Sequence, residues 1–232
     1  MIRLDKYLCN SGKYTRSQAK ELIKNKKVLV DGNLVVKPET KIDESQNIVV
    51  EGQKISYFKY EYYMLNKPAG YVSATTDKHD PTVISLINSD MNDLFPAGRL
   101  DKDTEGLLLI TNDGELAHNL LSPRKHVDKK YFVRVSGKLT DDMIEQFKNG
   151  LVINEEFTTK PAILEILSED TCYVTIHEGK FHQIKRMFIA VGTEVIYLKR
   201  ISMKNLVLDN NLKLGEYRQL TQEEVDDLKN KE

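Results

Sequence analysis

The segment best suited to chemistry spans residues 98–107 and reads GRLDKDTEGL. It places the carboxylate of Asp101 two residues after the guanidinium of Arg99, in a stretch without the apolar period of a helix or a strand. A single loop carboxylate beside an arginine is more often an ion pair or a turn cap than a catalyst. Two other polar segments favour chemistry here, KKY at 129–131 and EGKFHQIKRM at 178–187.

The first alternative for this segment is a calcium loop, because Asp101, Asp103 and Glu105 alternate ahead of a glycine. The twelfth position of such a loop needs a bidentate glutamate, but the chain has Asn112 there. The preceding residues 95–98 contain a proline and cannot form the entering helix. We therefore predict that no calcium is bound.

Phosphate-loop and metal-pair patterns are also incomplete. Phe181 follows the Gly-Lys step at 179–180, where a phosphate-binding loop needs serine or threonine. His177 and His182 lie five residues apart, whereas two ligands on one helix face lie four apart. We predict no metal site.

Apolar runs after residue 60 predict a sheet with interspersed helices. One helix is expected to begin at Thr140 and end at Gly150, and a second is expected over residues 181–191, ending at Gly192. Runs of strands without strict strand-helix alternation favour an α+β fold with a mixed, largely antiparallel sheet and flanking helices. The predicted strands are residues 62–65, 107–110, 131–135, 162–166 and 172–176.

The N-terminal part predicts a smaller domain of an αα-hairpin plus strands. Thr15 and Gln18 form a capping-box pattern before a helix. Residues 28–30 and 34–36 form a hairpin around Asp31-Gly32, and residues 48–50 add a strand. The first 27 residues carry eight basic side chains against two acidic ones, which makes polyanion binding plausible there. We place the boundary near residues 57–59, with domains at 1–57 and 60–232.

The composition is that of an ordinary soluble globular protein and fits a reducing compartment. The 232 residues carry 34 basic and 35 acidic side chains, so the net charge of −1 names no partner. Only Cys9 and Cys172 are present, far apart, which predicts no disulfide framework and no zinc knuckle. No signal-like or membrane-spanning apolar run occurs. We therefore expect a cytoplasmic protein without membrane contact. A monomer is expected as well, although no feature of the sequence determines the oligomeric state.

Taken together, the three polar segments resemble the RsuA-type family of ribosomal RNA pseudouridine synthases. The sequence YMLNKPAGY at 63–71 is similar to the same family's opening strand and loop. Residues 1–57 resemble an S4-type RNA-binding domain, through RLDKYL at 3–8, RSQA at 16–19 and VLVDG at 28–32. The resemblance covers nearly the whole chain.

The resemblance implies roles for individual residues. Asp101 matches the catalytic aspartate, Tyr131 the active-site tyrosine, and Lys185 the basic partner of the aspartate. Ile184 matches an apolar wall of the site. The expected substrate-binding residues are Arg99, Leu100, Ile184, Arg186 and Lys67. The expected RNA-binding residues of the S4-like domain are Arg3, Lys6, Lys13, Arg16, Lys20 and Lys24.

The implied reaction needs no cofactor. The N1–C1′ bond of a uridine breaks, the uracil turns, and C5 joins C1′, whereas a glycosidase uses two carboxylates and water. Burial disfavours a charged carboxylate, so Asp101 needs a nearby cation, for which Lys185 is the candidate. Tyr131 offers a face for uracil stacking, and Arg99 either fills the gap left by the flipped base or grips a phosphate. Further phosphate contacts are expected from Lys180, Lys185, Arg186, Lys199, Arg200 and Lys204.

The expected substrate is small-subunit (16S) ribosomal RNA, or its assembly intermediate, with uridine 516 as the implied position. This expectation rests on FHQIKRMF at 181–188, because large-subunit relatives usually differ at the positions of His182 and Gln183. Two alternatives stay open. One is a large-subunit (23S) target, and the other is a non-enzymatic RNA-binding protein that supports ribosome assembly.

Overall fold

The computed structural model describes residues 1–11, 13–55, 60–89, 91, 93–122, 125–153 and 157–230. The chain forms two compact units, one of residues 1–61 and 88–93 and one of residues 62–87 and 94–232. The predicted domain boundary at residues 57–59 lies outside the described residues. Each unit has its own apolar core.

The N-terminal unit packs two helices against short strands. The second helix begins after Thr15, whose hydroxyl accepts from the amide of Gln18, so the predicted capping box is confirmed. Leu8 and Ile23 are completely buried between the helices and the strands. The elements are β1 (Ile2–Arg3), α1 (Leu4–Asn10), α2 (Arg16–Lys24), β2 (Val28–Val30), β3 (Asn33–Leu34), β4 (Lys41–Ile42), β5 (Ile48–Val50) and β6 (Gln53–Ile55).

The predicted hairpin of this unit is confirmed, with a shorter second strand. Asp31 and Gly32 both have positive φ, at 49° and 80°, which suits a two-residue turn between twisted antiparallel strands. Strand β3 ends at Leu34 rather than at residue 36. Strand β2 also pairs with β5, so it lies inside a four-stranded sheet of order β3-β2-β5-β6.

The larger unit is built around one mixed sheet, which the α+β prediction anticipates. Its helices and strands are β7 (Tyr62–Lys67), β8 (Phe95–Pro96), β9 (Glu105–Thr111), α3 (Gly114–Leu121), β10 (Lys129–Val135), α4 (Asp141–Asn149), β11 (Val152–Ile153), β12 (Phe157–Thr158), β13 (Ile163–Ile166), β14 (Thr171–Ile176), α5 (Gln183–Ala190), β15 (Val195–Met203), β16 (Leu206–Val207), β17 (Tyr217–Gln219) and α6 (Gln222–Lys229). A short 3-10 turn covers Val83–Leu86.

The sheet order is β13-β14-β10-β15-β9-β7-β17. Neighbouring strands are antiparallel except β15 and β9, which run parallel and join at Lys199 and Arg200. Gly106 makes this approach possible, because its φ is +99° and an added Cβ would lie 2.2 Å from the carbonyl oxygen of Arg200. The end of the 98–106 segment is therefore fixed to the middle of the sheet.

Two helix predictions have different outcomes. Helix α4 follows the N-cap Thr140 and stops at Gly150, whose φ is 84°, as predicted. Helix α5 begins at Gln183, so the prediction of a helix from Phe181 was wrong. His182 takes a left-handed conformation, with φ 49° and ψ 32°, and this turns the chain before the helix starts. Phe181 consequently lies in a turn ahead of the helix.

Candidate active site

Asp101 lies between β8 and β9 and faces two basic side chains from the start of α5. The Lys185 Nζ lies 3.2 Å from its Oδ2, and the His182 Nε2 lies 3.7 Å from its Oδ1. The Asp101 side chain is 27% exposed and that of Lys185 is 22% exposed. The carboxylate therefore lies at the edge of the protein interior, where an incoming group can reach it.

Lys185 binds a second carboxylate as well. Its Nζ donates to both oxygens of Asp103, at 2.6 and 2.9 Å. Partial burial acts to lower the pKa of Lys185, but the hydrogen bond to Asp103 and the charge of Asp101 outweigh it and raise that pKa above its ordinary value. Partial loss of solvation acts to raise the pKa of Asp103, but the Lys185 hydrogen bond outweighs it and that pKa is lowered. Lys185 is therefore a stable cation at neutral pH.

Lys67 lies beneath the loop, and this position corrects the expectation that it binds substrate. The side chain is completely buried at the end of β7. Its Nζ donates to four carbonyl oxygens, those of Pro68 at 3.1 Å, Asp101 at 3.0 Å, Lys102 at 3.3 Å and Thr104 at 2.7 Å. Burial lowers the pKa of Lys67 to about 8, against the opposing charges of nearby carboxylates. The ammonium fixes the loop backbone and has no surface for RNA.

Other polar contacts hold the same loop. The buried hydroxyl of Ser73 donates to the carbonyl of Leu100 at 2.9 Å and accepts from its amide at 3.0 Å. The amide of Gly70 donates to the carbonyl of Lys102 at 2.7 Å. The backbone on both sides of Asp101 is therefore bonded to the segment that follows β7. This explains how a segment without helix or strand holds a carboxylate in place.

A pocket opens beside Asp101. Tyr131 on β10 is 7% exposed and contributes an aromatic wall, while Ile184 from α5 contributes an apolar one. Leu198 pairs with Val133 and Arg200 pairs with Tyr131, so Tyr131 and Leu198 face the same side of the sheet. The pocket is lined by Arg99, Leu100, Asp101, Thr104, Tyr131, Ile176, Gly179, Lys180, His182, Gln183, Ile184, Lys185 and Leu198.

The remaining residues that we predicted to bind substrate differ in how far they are buried. Arg99 is exposed and lines the pocket, so it can reach RNA. Leu100 is 6% exposed and forms part of the wall. The guanidinium carbon of Arg186 lies 5.2 Å from the ring centroid of Phe157, and the Lys180 Nζ lies 3.5 Å from the same centroid. The ring of Phe157 thus holds two cations near the pocket.

One expected phosphate contact, that of Arg200, is wrong, and a second cation, Lys204, is held by backbone carbonyls. Arg200 is 2% exposed, and its Nε donates to the carbonyl of Leu107 at 2.7 Å inside the sheet. The Lys204 Nζ donates to the carbonyls of Asp227 at 3.0 Å and Leu228 at 3.2 Å, near the end of α6. Both cations complete backbone hydrogen bonding of the larger unit.

The N-terminal unit presents a basic surface of its own. Arg16, Lys20 and Lys24 are exposed and recur every four residues, so they follow one face of α2. Lys6 and Lys13 are exposed as well. The predicted RNA contact Arg3 already binds a carboxylate, donating from Nε and Nη2 to the buried Asp5 at 2.9 and 2.8 Å. This ion pair lowers the pKa of Asp5, chiefly through the Arg3 hydrogen bond.

Several pocket residues escaped the sequence analysis. Ile176 and Leu198 reach the pocket only through strand register, which no local pattern reveals. Ser73 has no distinguishing neighbour in the sequence. His182 was considered as a metal ligand and as a marker of the small-subunit relatives, but not as a neighbour of Asp101. Its position three residues before Lys185, the lysine that the resemblance pairs with the aspartate, was a signal for that contact.

The described residues contain neither a metal-binding cluster nor a membrane-spanning helix. No group of three or more histidine, cysteine, aspartate or glutamate side chains there could hold a metal ion. Within the same ranges, no helix has the length and apolar character needed to cross a membrane.

Comparison with known proteins identifies the family of both parts of the chain. The profile for RNA pseudouridylate synthases matches residues 61–190, and the S4 domain profile matches residues 2–48. The chain is 46% identical to an uncharacterized RNA pseudouridine synthase of Bacillus subtilis, over 97% of each chain. It is 40% identical to the ribosomal small subunit pseudouridine synthase A of Escherichia coli, over 97% of this chain and 98% of the relative.

One solved structure, described as a pseudouridylate synthase, has a TM-score of 0.70 at 36% identity and covers 98% of this chain and 100% of its own. These matches confirm the family resemblance and the order of an S4 domain followed by a mixed-sheet domain. The chain belongs to the RNA pseudouridine synthase family, as an RsuA-type member with an N-terminal S4 domain.

Proposed function

We propose that this pseudouridine synthase isomerises one uridine of small-subunit (16S) ribosomal RNA, with Asp101 as its essential group. The observation that carries the proposal is the placement of the Asp101 carboxylate beside a cation at 3.2 Å, on the rim of a pocket with an aromatic wall. A binding protein has no need for a carboxylate held in this way. The non-enzymatic alternative is therefore not favoured.

The reaction rearranges one nucleotide without gain or loss of atoms. The N1–C1′ bond breaks and a C5–C1′ bond forms. C5 then loses its proton, and N1 gains one. Asp101 starts this sequence either by adding to C1′ or by removing the C2′ proton, and both routes need an ionised carboxylate. The ammonium of Lys185 stabilises that charge at close range.

The pocket accommodates a base that has left the RNA stack. Flipping a nucleotide costs a few kcal/mol, and stacking on an aromatic ring offsets part of this cost. Tyr131 provides such a ring, and its hydroxyl is a candidate for moving the C5 proton. Ile184 lies on the apolar side, and Arg99 at the mouth can contact a phosphate or occupy the vacated stack.

Binding of the rest of the RNA is assigned to the basic surfaces of the two units. The stripe of Arg16, Lys20 and Lys24 suits a phosphate backbone, and so do Lys180 and Arg186 near the pocket. Because the units are linked in one chain, binding by one raises the effective concentration of RNA at the other. We also propose that the protein acts as a cytoplasmic monomer.

The choice of subunit rests on similarity. The relative in Escherichia coli is named for the ribosomal small subunit and is 40% identical over nearly the full chain. The segment with His182 and Gln183 also resembles the small-subunit members. We propose uridine 516 as the target by this resemblance, with a large-subunit target as the alternative.

The experiment is to map pseudouridines in ribosomal RNA of cells that lack this protein. We expect one small-subunit pseudouridine to disappear, and to return on expression of the wild-type chain but not of Asp101→Asn. Loss of a large-subunit pseudouridine instead would support the alternative target. Complementation by Asp101→Asn would overturn the role of the aspartate.

A further inference from the structure

The side chain of Phe181 is unusual for its exposure. It is 75% exposed, more than any other large apolar side chain in the described ranges except the N-terminal Met1. One face of the ring rests on the imidazole of His182, with ring centroids 3.8 Å apart and planes within 19°. The other face is open to solvent. The open face of the Phe181 ring is therefore a flat apolar surface that another molecule can contact.

The turn that carries Phe181 is firmly held. His182 has a left-handed backbone, a conformation that non-glycine residues retain where the surroundings enforce it. The buried amide of Gln183 donates to Glu178 at 2.9 Å, and its oxygen accepts from the amide of Lys180 at 2.9 Å. These bonds on both sides of the Phe181–His182 pair fix the direction in which the stacked rings point.

The stacked rings lie at the mouth of the pocket. His182 lines the pocket, and its Nε2 is 3.7 Å from the Asp101 carboxylate. The outer face of Phe181 is thus separated from the essential group by one imidazole. A base that stacks on Phe181 would be close to a uridine that has entered the pocket.

The surrounding charges favour a polyanion over an apolar peptide. Lys180 and Arg186 are held against the ring of Phe157, and Arg99 is exposed on the pocket rim. The carboxylate of Asp103 is paired with Lys185, so it is partly neutralised. Exposed aromatic rings among cations are the arrangement by which proteins bind unpaired nucleic-acid strands.

Building on the proposed function, we propose that Phe181, supported by His182, is a stacking platform for the nucleobase next to the target uridine. The neighbouring base leaves the RNA stack and covers the open face of Phe181 while the uridine lies beside Asp101. Purines have the larger stacking surface, so a purine neighbour binds more tightly than a pyrimidine.

The test uses the full chain carrying Asp101→Asn, so that RNA is bound but not converted. The probes are two nine-nucleotide RNAs with one central uridine and 2-aminopurine directly before or after it, because stacking quenches this purine analogue. We expect quenching of one bound probe, its loss in Phe181→Ala, and its retention in Phe181→Tyr. The dissociation constant of Phe181→Ala should rise roughly 5- to 100-fold.

The matched control is Ile189→Ala, which removes another exposed apolar side chain, 58% exposed, on α5 and outside the pocket lining. It should bind both probes like the parent protein. Equal quenching in the parent and in Phe181→Ala would overturn the platform. Full quenching in Phe181→Leu would also overturn it, because leucine keeps apolar surface without a ring face.

Turnover separates this inference from the proposed function. With Asp101 intact, Phe181→Ala should raise KM for a small-subunit RNA transcript and leave kcat within about threefold, because the platform binds substrate and transition state alike. An active wild type with an unchanged KM in Phe181→Ala would refute the platform alone. Quenching that depends on Phe181, in a protein inactive on every ribosomal RNA, would refute the proposed function alone.

Discussion

Two lysines contact the Asp101 segment in opposite ways. Lys67 is completely buried and donates to four carbonyl oxygens, including that of Asp101 itself. Lys185 is 22% exposed and binds two carboxylates, at 3.2 Å for Asp101 and 2.6 Å for Asp103. One cation fixes where the backbone runs, and the other balances the charge of the side chain.

The contrast between Lys67 and Lys185 shows how burial limits the role of a cation. An ammonium away from water needs its hydrogen bonds satisfied, and four carbonyls do this for Lys67 at the cost of any contact with substrate. A cation near the surface keeps a carboxylate charged and leaves it accessible. Positioning and electrostatics are therefore assigned to different residues, and they can be disrupted separately.

The largest effect is expected for Lys67→Met. Removal of the ammonium leaves the carbonyls of Asp101 and Thr104 without their buried donor, so the loop loses its shape. We expect the free energy of unfolding to fall by about 3 kcal/mol in urea titrations, and kcat to fall by roughly 10³-fold.

Lys102→Met is the matched control, because Lys102 is 53% exposed and pairs with Asp80 at the surface. We expect the free energy of unfolding of Lys102→Met to fall by less than about 1 kcal/mol. Equal losses in the two variants would contradict the positioning role.

Lys185→Met should affect rate rather than stability. The ion pairs of Lys185 lie near the surface and contribute little to folding, so we expect a change in the free energy of unfolding below about 1 kcal/mol in the same titrations. Single-turnover pseudouridine formation should slow by roughly 10²- to 10³-fold, since the Asp101 charge loses its partner. Lys185→Arg should restore part of the rate.

A control for this variant is Asp103→Asn. It removes the exposed carboxylate, 72% exposed, and leaves the contact between Lys185 and Asp101. The rate should stay within about threefold of wild type, a range that the loss of a surface pair allows. A loss as large as that of Lys185→Met would show that Asp103 is the partner that matters.

The smallest effect concerns pH. Burial lowers the pKa of Lys67 to about 8, and burial together with the charge of Arg200 lowers the pKa of Lys129 to about 8. The unfolded chain keeps both protons up to about pH 10.4, so between these values it binds more protons than the folded state. Stability therefore rises with pH there, by about 1 kcal/mol per pH unit for each lysine. Urea unfolding at pH 8 and 9.5 should show a smaller rise in Lys129→Met than in wild type. An equal rise in stability in Lys129→Met and in wild type would contradict the lowered pKa of Lys129.

The sequence predicts the regular parts of the fold best. Apolar runs locate β9 and β10, a capping box locates the start of α2, and Gly150 locates the end of α4, because these signals are local. Burial of Arg200 escaped prediction, because a charged residue inside a strand becomes buried only through the parallel register of β15 with β9. The helix start at Gln183 was missed because the Gln183 side chain, which donates to Glu178 and accepts from the amide of Lys180, holds a turn at His182 that the apolar period does not reveal.

The site itself was predictable in part. The proximity of Asp101 to Lys185 follows the family resemblance, and no spacing along the chain would have indicated it. The resemblance was misleading at Lys67, because a lysine beside a site residue suggests substrate contact until its burial is known. The catalytic roles of Asp101, Tyr131 and Lys185 stay predictions.

The most direct test of the central claim is single-turnover tritium release from 5-tritiated uridine in a small-subunit RNA transcript, with RNA binding measured on the same samples. We predict that Asp101→Asn releases no tritium above background while its dissociation constant stays within about threefold of wild type. The uncharged amide keeps the shape of the loop but cannot act as nucleophile or base. Tritium release by Asp101→Asn at a rate close to wild type would contradict the account.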